Sequence, residues 1–248
     1  MNTDDGGTNS QRDEPHNAAR PEIDSLPRGE LQAALAGTGL AACYQPMVRV
    51  CDRRPVSLEV LARLDHPRHG VLAPEHFVPQ MEDAGLARRL TESVAALSFC
   101  DYRRRLDGLG LTLALNFPLD VLLDSAAVTA LDAQRESAGI AAVQVLIELT
   151  ESRPLDARDA AEVAAFGAAM RRLRALGYGL AIDDVGPDTT NLRVLLGFGF
   201  TALKLDRIVV EESGTSSDTC RFVRDTIAAA RAADLVVIAE GIEDKAGW

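Results

Sequence analysis

With 248 residues, 47% of them hydrophobic and only 4% aromatic, the chain is long enough for one large domain or two small ones, built on a core of Leu, Val, Ile and Ala. Its 26 basic against 37 acidic residues leave a formal charge of −11, which excludes broad, sequence-independent nucleic-acid binding but not a small anion held through bound cations. The four cysteines at 43, 51, 100 and 220 form no CxxC pair; with no signal peptide and no apolar run of ~18 residues, a cytoplasmic protein without a membrane span is expected.

Residues 1–28 are polar, rich in Asp, Asn, Gly and Pro, and free of apolar periodicity; they are expected to form a disordered tail before a single domain over residues 29–248. From Glu30 onward seven short apolar runs follow one another: "AACYQPMVRV", "VSLEVLARL", "LTLALNF", "VQVLIELT", "GLAIDDV", "TALKLD" and "LVVIAEGI". Their lengths suit buried strands of a parallel sheet. Longer amphipathic segments lie between most of them. Leu86, Leu90, Val94 and Leu97 recur at helical spacing, as do Val163, Phe166, Met170, Leu173 and Leu176, with Gly177 as a helix stop. Phe222, Val223, Thr226, Ile227 and Ala230 make a third stripe. The β-α alternation predicts an α/β fold, either a (β/α) barrel or a doubly wound sheet. Neither GxGxxG after a strand nor GxxxxGK[ST] is present, so dinucleotide-binding and P-loop chemistry have no signature.

The polar residues at the strand ends form a pattern: Glu59, Asn116, Glu148, Asp183 with Asp184, Lys204 with Asp206, and Glu240 with Glu243. In parallel α/β barrels that end carries the active site. The set is rich in oxygen and contains neither His nor Cys, which suits hard cations such as Mg²⁺ or Mn²⁺. Two divalent cations would neutralise the converging carboxylates and suit phosphodiester cleavage. Lys204 either polarises a water or pairs with Asp206 or a neighbouring acid. His66 and His69 flank Pro67 in "LDHPRHG" and are read as shaping a turn.

Seven ordered motifs then resemble one family. "YQPMV", "LEVLARLDHP", "LNF", "IELTES", "IDDVG", "LKLD" and "IAEGIED" are similar to the successive motifs of EAL domains, bacterial phosphodiesterases of cyclic di-GMP. The resemblance implies a TIM-like (β/α) barrel and hydrolysis of cyclic di-GMP to pGpG at a two-metal site holding Mg²⁺ or Mn²⁺. It implies metal ligation by Glu59, Asn116, Glu148, Asp183, Asp184 and Glu240. Lys204 would assist the nucleophilic water, Glu243 would contact a base or the water network, and Gln45, Arg63 and Asp206 would meet the substrate. Glu151 would support the loop after the paired aspartates, a loop that in the family couples a homodimer to metal binding.

The sequence departs from the family pattern in that loop, "DDVGPDTTNL", where Val185, Asp188 and Thr189 replace Phe, Gly and Tyr, and Pro187 removes a donor. A strained position at Asp188 is expected if the loop needs φ > 0 there. The chain also ends at Trp248, where family members continue to an eighth strand with a QG[YF]-type motif. An incomplete barrel is therefore expected, whether as a fragment, a truncated fold, or one completed by another chain. The alternative function is a degenerate, non-catalytic EAL domain that binds cyclic di-GMP or a protein partner.

Overall fold

The computed structural model describes residues 25–37, 39–150, 159–189, 195 and 197–242. All seven apolar runs form strands: β1 Leu40–Val48, β2 Pro55–His66, β4 Thr112–Pro118, β5 Val145–Thr150, β6 Gly179–Val185, β7 Ala202–Leu205 and β8 Val236–Ala239. They build one sheet in the order β1-β2-β4-β5-β6-β7-β8, with β3, Gly70–Leu72, added beside β2. From β2 through β8 along that path the pairing is parallel.

Two strands break the expected all-parallel sheet. β1 and β3 both run antiparallel to β2. The cause is connection length: only residues 49–54 separate β1 from β2, too few for the crossover of a dozen or more residues that a parallel pair requires. The second hairpin uses the "HPRHG" turn, in which the His69 N–H donates to the His66 carbonyl at 3.2 Å and the two rings stack. The turn expected there is present.

Helices cover the outer side of the sheet. α1 spans Arg28–Ala36, α2 Pro74–Asp83, α3 Ala87–Asp101, α4 Leu119–Leu122, α5 Ser125–Ser137, α6 Ala160–Leu176, α7 Arg207–Glu212 and α8 Ser217–Ala232. In α6 the Asp159 side chain accepts from the Glu162 amide and Glu162 reaches back to the Asp159 amide, closing both ends of a capping box. Gly177 then ends the helix at φ 98°, a conformation that costs glycine little. Two adjoining cores result. Leu58, Val60, Phe99, Leu113, Ile147, Phe166, Met170 and Leu203 belong to the larger one. Leu26, Leu31, Leu64, Phe77, Met81 and Leu90 form a smaller one beside β2. Leu26 is buried and its amide donates to Gln80 Oε1 at 2.6 Å, so packing begins slightly before the tail boundary expected at residue 28. Leu97 and Leu176, placed on apolar stripes by spacing, lie at the exposed margins of their helices instead.

The sheet is curled. β2 and β7 are four strand intervals apart, ~19 Å in a flat sheet. Yet Lys204 Nζ of β7 lies 3.5 Å from Glu59 Oε1 of β2, which only a strongly bent sheet allows. Among the described residues β1 and β8 are its two edges and do not pair with each other. The architecture is an α/β, TIM-like open barrel. None of the described helices is long and apolar enough to cross a membrane.

Candidate active site

Lys204 is the hub of the concave side. Every residue of β7 is buried, and alternation along the strand turns the Lys204 side chain inward while Leu203 and Leu205 join the core. Its ammonium meets Glu240 at 2.6 Å, Asp183 at 2.9 Å, Glu148 at 3.3 Å and Glu59 at 3.5 Å. Asn116 Nδ2 donates to Glu59 Oε1 at 3.5 Å. Five strand-borne positions and the residue just after β8 are thereby drawn to one end of the sheet. Of the acids offered as its partners, the neighbouring ones pair with Lys204, and Asp206 is not among its ion pairs.

One ammonium cannot balance four carboxylates, one buried and three partly buried, and the imbalance shows in their protonation. Burial pushes Glu148 up to about 8; Glu59 and Asp183 add to that, and Lys204 opposes it. Its Oε1 is buried without a hydrogen-bond partner. Burial also raises Glu240, against the pull of Lys204. For Lys204, burial favours loss of the proton, but Glu148, Asp183 and Glu59 outweigh it and hold the side chain above its ordinary range.

Local strand geometry places these groups. Glu59 is not at a strand end, as expected, but mid-way along β2, because the hairpin with β1 extends the strand to His66. It does stand near the end of the shorter parallel ladder with β4, which runs only from Ser57 to Val60 on β2. Asp183 and Asp184 form a bulge. β6 pairs with β7 at Ile182↔Leu203 and again at Val185↔Leu205, so two aspartates stand opposite Lys204. The extra residue is absorbed by Asp184, whose φ is 51°. Burial, then Asp183 and Asp206, raise the Asp184 carboxyl. Asp188 takes no positive φ, so the strain expected there is absent in this loop.

The remaining expected residues fall as follows. Gln45 lies directly across the hairpin from Glu59 and is exposed. Arg63, on the Glu59 face of β2, donates to the Ala62 carbonyl at 2.8 Å. Asp206 caps α7, its Oδ1 accepting from the Ile208 amide at 2.7 Å. Glu151 and Glu243 lie outside the described residues. Sequence reasoning gave Thr189 no role beyond replacing a tyrosine; its hydroxyl is bonded within the loop beside Asp184. The available signal was a Gly-Pro-Asp turn followed by a threonine, whose hydroxyl can bond the nearby backbone.

The donor set fits divalent cations: carboxylate and amide oxygens converge, their charge exceeds that of Lys204, and one Glu148 oxygen is orphaned. Among the described residues no group of three or more acids is spaced to cage a cation; the point on which four of them converge is taken by the Lys204 ammonium.

The model of the EAL domain matches residues 28–248. The chain belongs to the EAL domain family.

The cyclic di-GMP phosphodiesterase RocR of Pseudomonas aeruginosa is 31% identical to this EAL domain over 225 residues, 90% of the chain. The chain spans 31% and 56% of the length of two curated Pseudomonas relatives, the latter being RocR. The structure of the PaMucR phosphodiesterase in complex with c-di-GMP superposes with a TM-score of 0.79 at 28% identity, covering 88% of this EAL domain and 87% of that chain. Klebsiella pneumoniae BlrP1, solved as a calcium and cyclic di-GMP complex, matches with a TM-score of 0.70 at 25% identity, over 87% of this chain and 52% of that one.

Proposed function

We propose that this EAL domain hydrolyses one phosphodiester bond of cyclic di-GMP to give pGpG in bacterial second-messenger signalling. The observation that carries the reading is the convergence of Glu59, Glu148, Asp183 and Glu240 on Lys204, with Asn116 on Glu59. Its relatives support the substrate.

Glu59, Asn116, Glu148, Asp183, Asp184 and Glu240 would hold Mg²⁺ or Mn²⁺. Such ions supply positive charge that acidifies a nearby water and offsets charge building on the phosphate. Lys204, protonated and fixed by four acids, orients that water and cannot act as its base while it stays charged. Arg63 leaves the Ala62 carbonyl to take a phosphate oxygen, since a guanidinium matches that anion well. Gln45 and Asp206 border the substrate, and Glu243 completes the water network. Glu151 supports the loop, and the domain works as a homodimer in the cytoplasm.

One observation favours a second reading, binding of cyclic di-GMP without turnover: Lys204 already fills the centre of the acid ring, and no three described acids form a cation cage. The two readings separate in one experiment. Purified protein is incubated with cyclic di-GMP and Mg²⁺ or Mn²⁺, and pGpG is followed by chromatography. The expected result is pGpG from the wild type and a loss in Glu59→Ala larger than the roughly 10–100-fold typical of groups outside the ligand shell. Binding with no pGpG under either cation would replace hydrolysis with the second reading.

A further inference from the structure

We infer that Thr189 is a positioning residue for Asp184, a latch that this chain uses in its altered loop. The inference rests on the proposed cation site and concerns how one of its arms is held. Asp184 is the extra residue of the β6 bulge and sits at φ 51°, a left-handed conformation uncommon outside glycine, which aspartate tolerates better than most residues and which local hydrogen bonds can hold. That support comes from both sides. Upstream, Asp183 Oδ1 accepts from the Asp184 amide at 3.1 Å while also meeting Lys204 at 2.9 Å. Downstream, the Thr189 hydroxyl accepts from the Gly186 amide at 2.8 Å and reaches the Asp184 carbonyl at 3.5 Å.

Thr189 can serve both because a hydroxyl is donor and acceptor at once. Its own amide donates to the Gly186 carbonyl at 3.0 Å, closing a turn with Pro187 in the second position, where its fixed φ is favoured and its missing N–H is not needed. Asp188 follows without positive φ. Pro187, Asp188 and Thr189 therefore act as one self-consistent turn that returns the Thr189 hydroxyl to the backbone of the bulge. The Asp184 side chain stands half-exposed at the margin of the acid ring, off Lys204.

The test compares Thr189→Val, which keeps the shape and deletes the hydroxyl, with Thr189→Ser, which keeps the hydroxyl. Mn²⁺ affinity is measured by calorimetry without substrate, and exchange of the Gly186 amide by NMR. The expected result is Mn²⁺ affinity weakened about tenfold in Thr189→Val, at the lower end for outer-shell partners, and Gly186 exchange faster by a similar factor. Thr189→Ser should match the wild type in both. Unchanged Mn²⁺ affinity in Thr189→Val, with the wild type binding Mn²⁺, would overturn the latch. If the wild type binds no Mn²⁺, the reading of the site falls, and the latch is judged on the amide alone: unchanged exchange in Thr189→Val overturns it, and faster exchange reversed in Thr189→Ser upholds it.

Discussion

Glu148 shows at the residue scale what the site demands. It is fully buried, one oxygen faces Lys204 at 3.3 Å, and the other has no partner. Its carboxyl moves from 4.5 to about 8, chiefly through burial. Between those values the folded protein holds a proton that the unfolded chain has released, so this group's stabilisation is full below 4.5 and is lost as pH rises through about 8. Lys204, raised from 10.5, is charged in both states over that window and does not disturb the slope. The metal-free protein should therefore lose on the order of a few kcal/mol from this group between mildly acidic and mildly basic pH. In Glu148→Gln that part of the slope should vanish in thermal melts across the window. Cations need the ionised carboxylate, so the apparent Mn²⁺ affinity of the wild type should climb up to roughly tenfold per pH unit until about pH 8. A flat affinity profile over that range, read by calorimetry, would remove Glu148 from the ligand set.

At the scale of elements, the bulge at the end of β6 sets local stability against the placement of a carboxylate. Asp184→Gly relieves the positive φ and removes one of a set of mutually repelling acids. It should stabilise the fold by roughly 1 kcal/mol in denaturant unfolding while weakening Mn²⁺ binding. Asp184→Ala should be the less stable of the two variants, because alanine resists the left-handed region as glycine does not; equal stability would show that the φ of 51° carries no strain. The elements themselves were legible because buried strands and half-buried helices repeat with different periods. The direction of β1 was missed, because apolar content says nothing of direction; its signal was the six residues before β2, too few for a parallel crossover. β3 was not legible, since three residues of a hairpin arm carry no period. The acid ring could be read as residue types recurring at strand ends. Its centre on Lys204 could not, because that depends on curvature across four strand intervals. Thr189 stayed hidden for a related reason: comparison by motif scores what a loop lacks, and its hydrogen bonds come from what it has.

At the scale of the whole molecule, curvature and charge are coupled. The sheet brings β2, β5, β6, β7 and the end of β8 onto one ammonium, and that convergence is tolerable only while something positive stands at the centre. Lys204 does so in the metal-free protein, and divalent cations would share the task. Lys204→Met keeps a long apolar stem in a buried strand but leaves four carboxylates without a counter-charge. Removing one partner of a buried ion pair costs about 3–5 kcal/mol, which for a chain of this length lowers the melting temperature by on the order of 10 °C. Protonation of the acids softens that loss, so it should grow as pH rises. Mn²⁺ should then stabilise Lys204→Met by more than it stabilises the wild type, since in the variant the cation is the principal counter-charge left. Equal Mn²⁺-induced shifts in the two proteins would mean that Lys204 and the cation act at separate places. A variant as stable as the wild type without cations at basic pH would mean that the ring tolerates its own repulsion, and that the curl of the sheet rests on its apolar face alone.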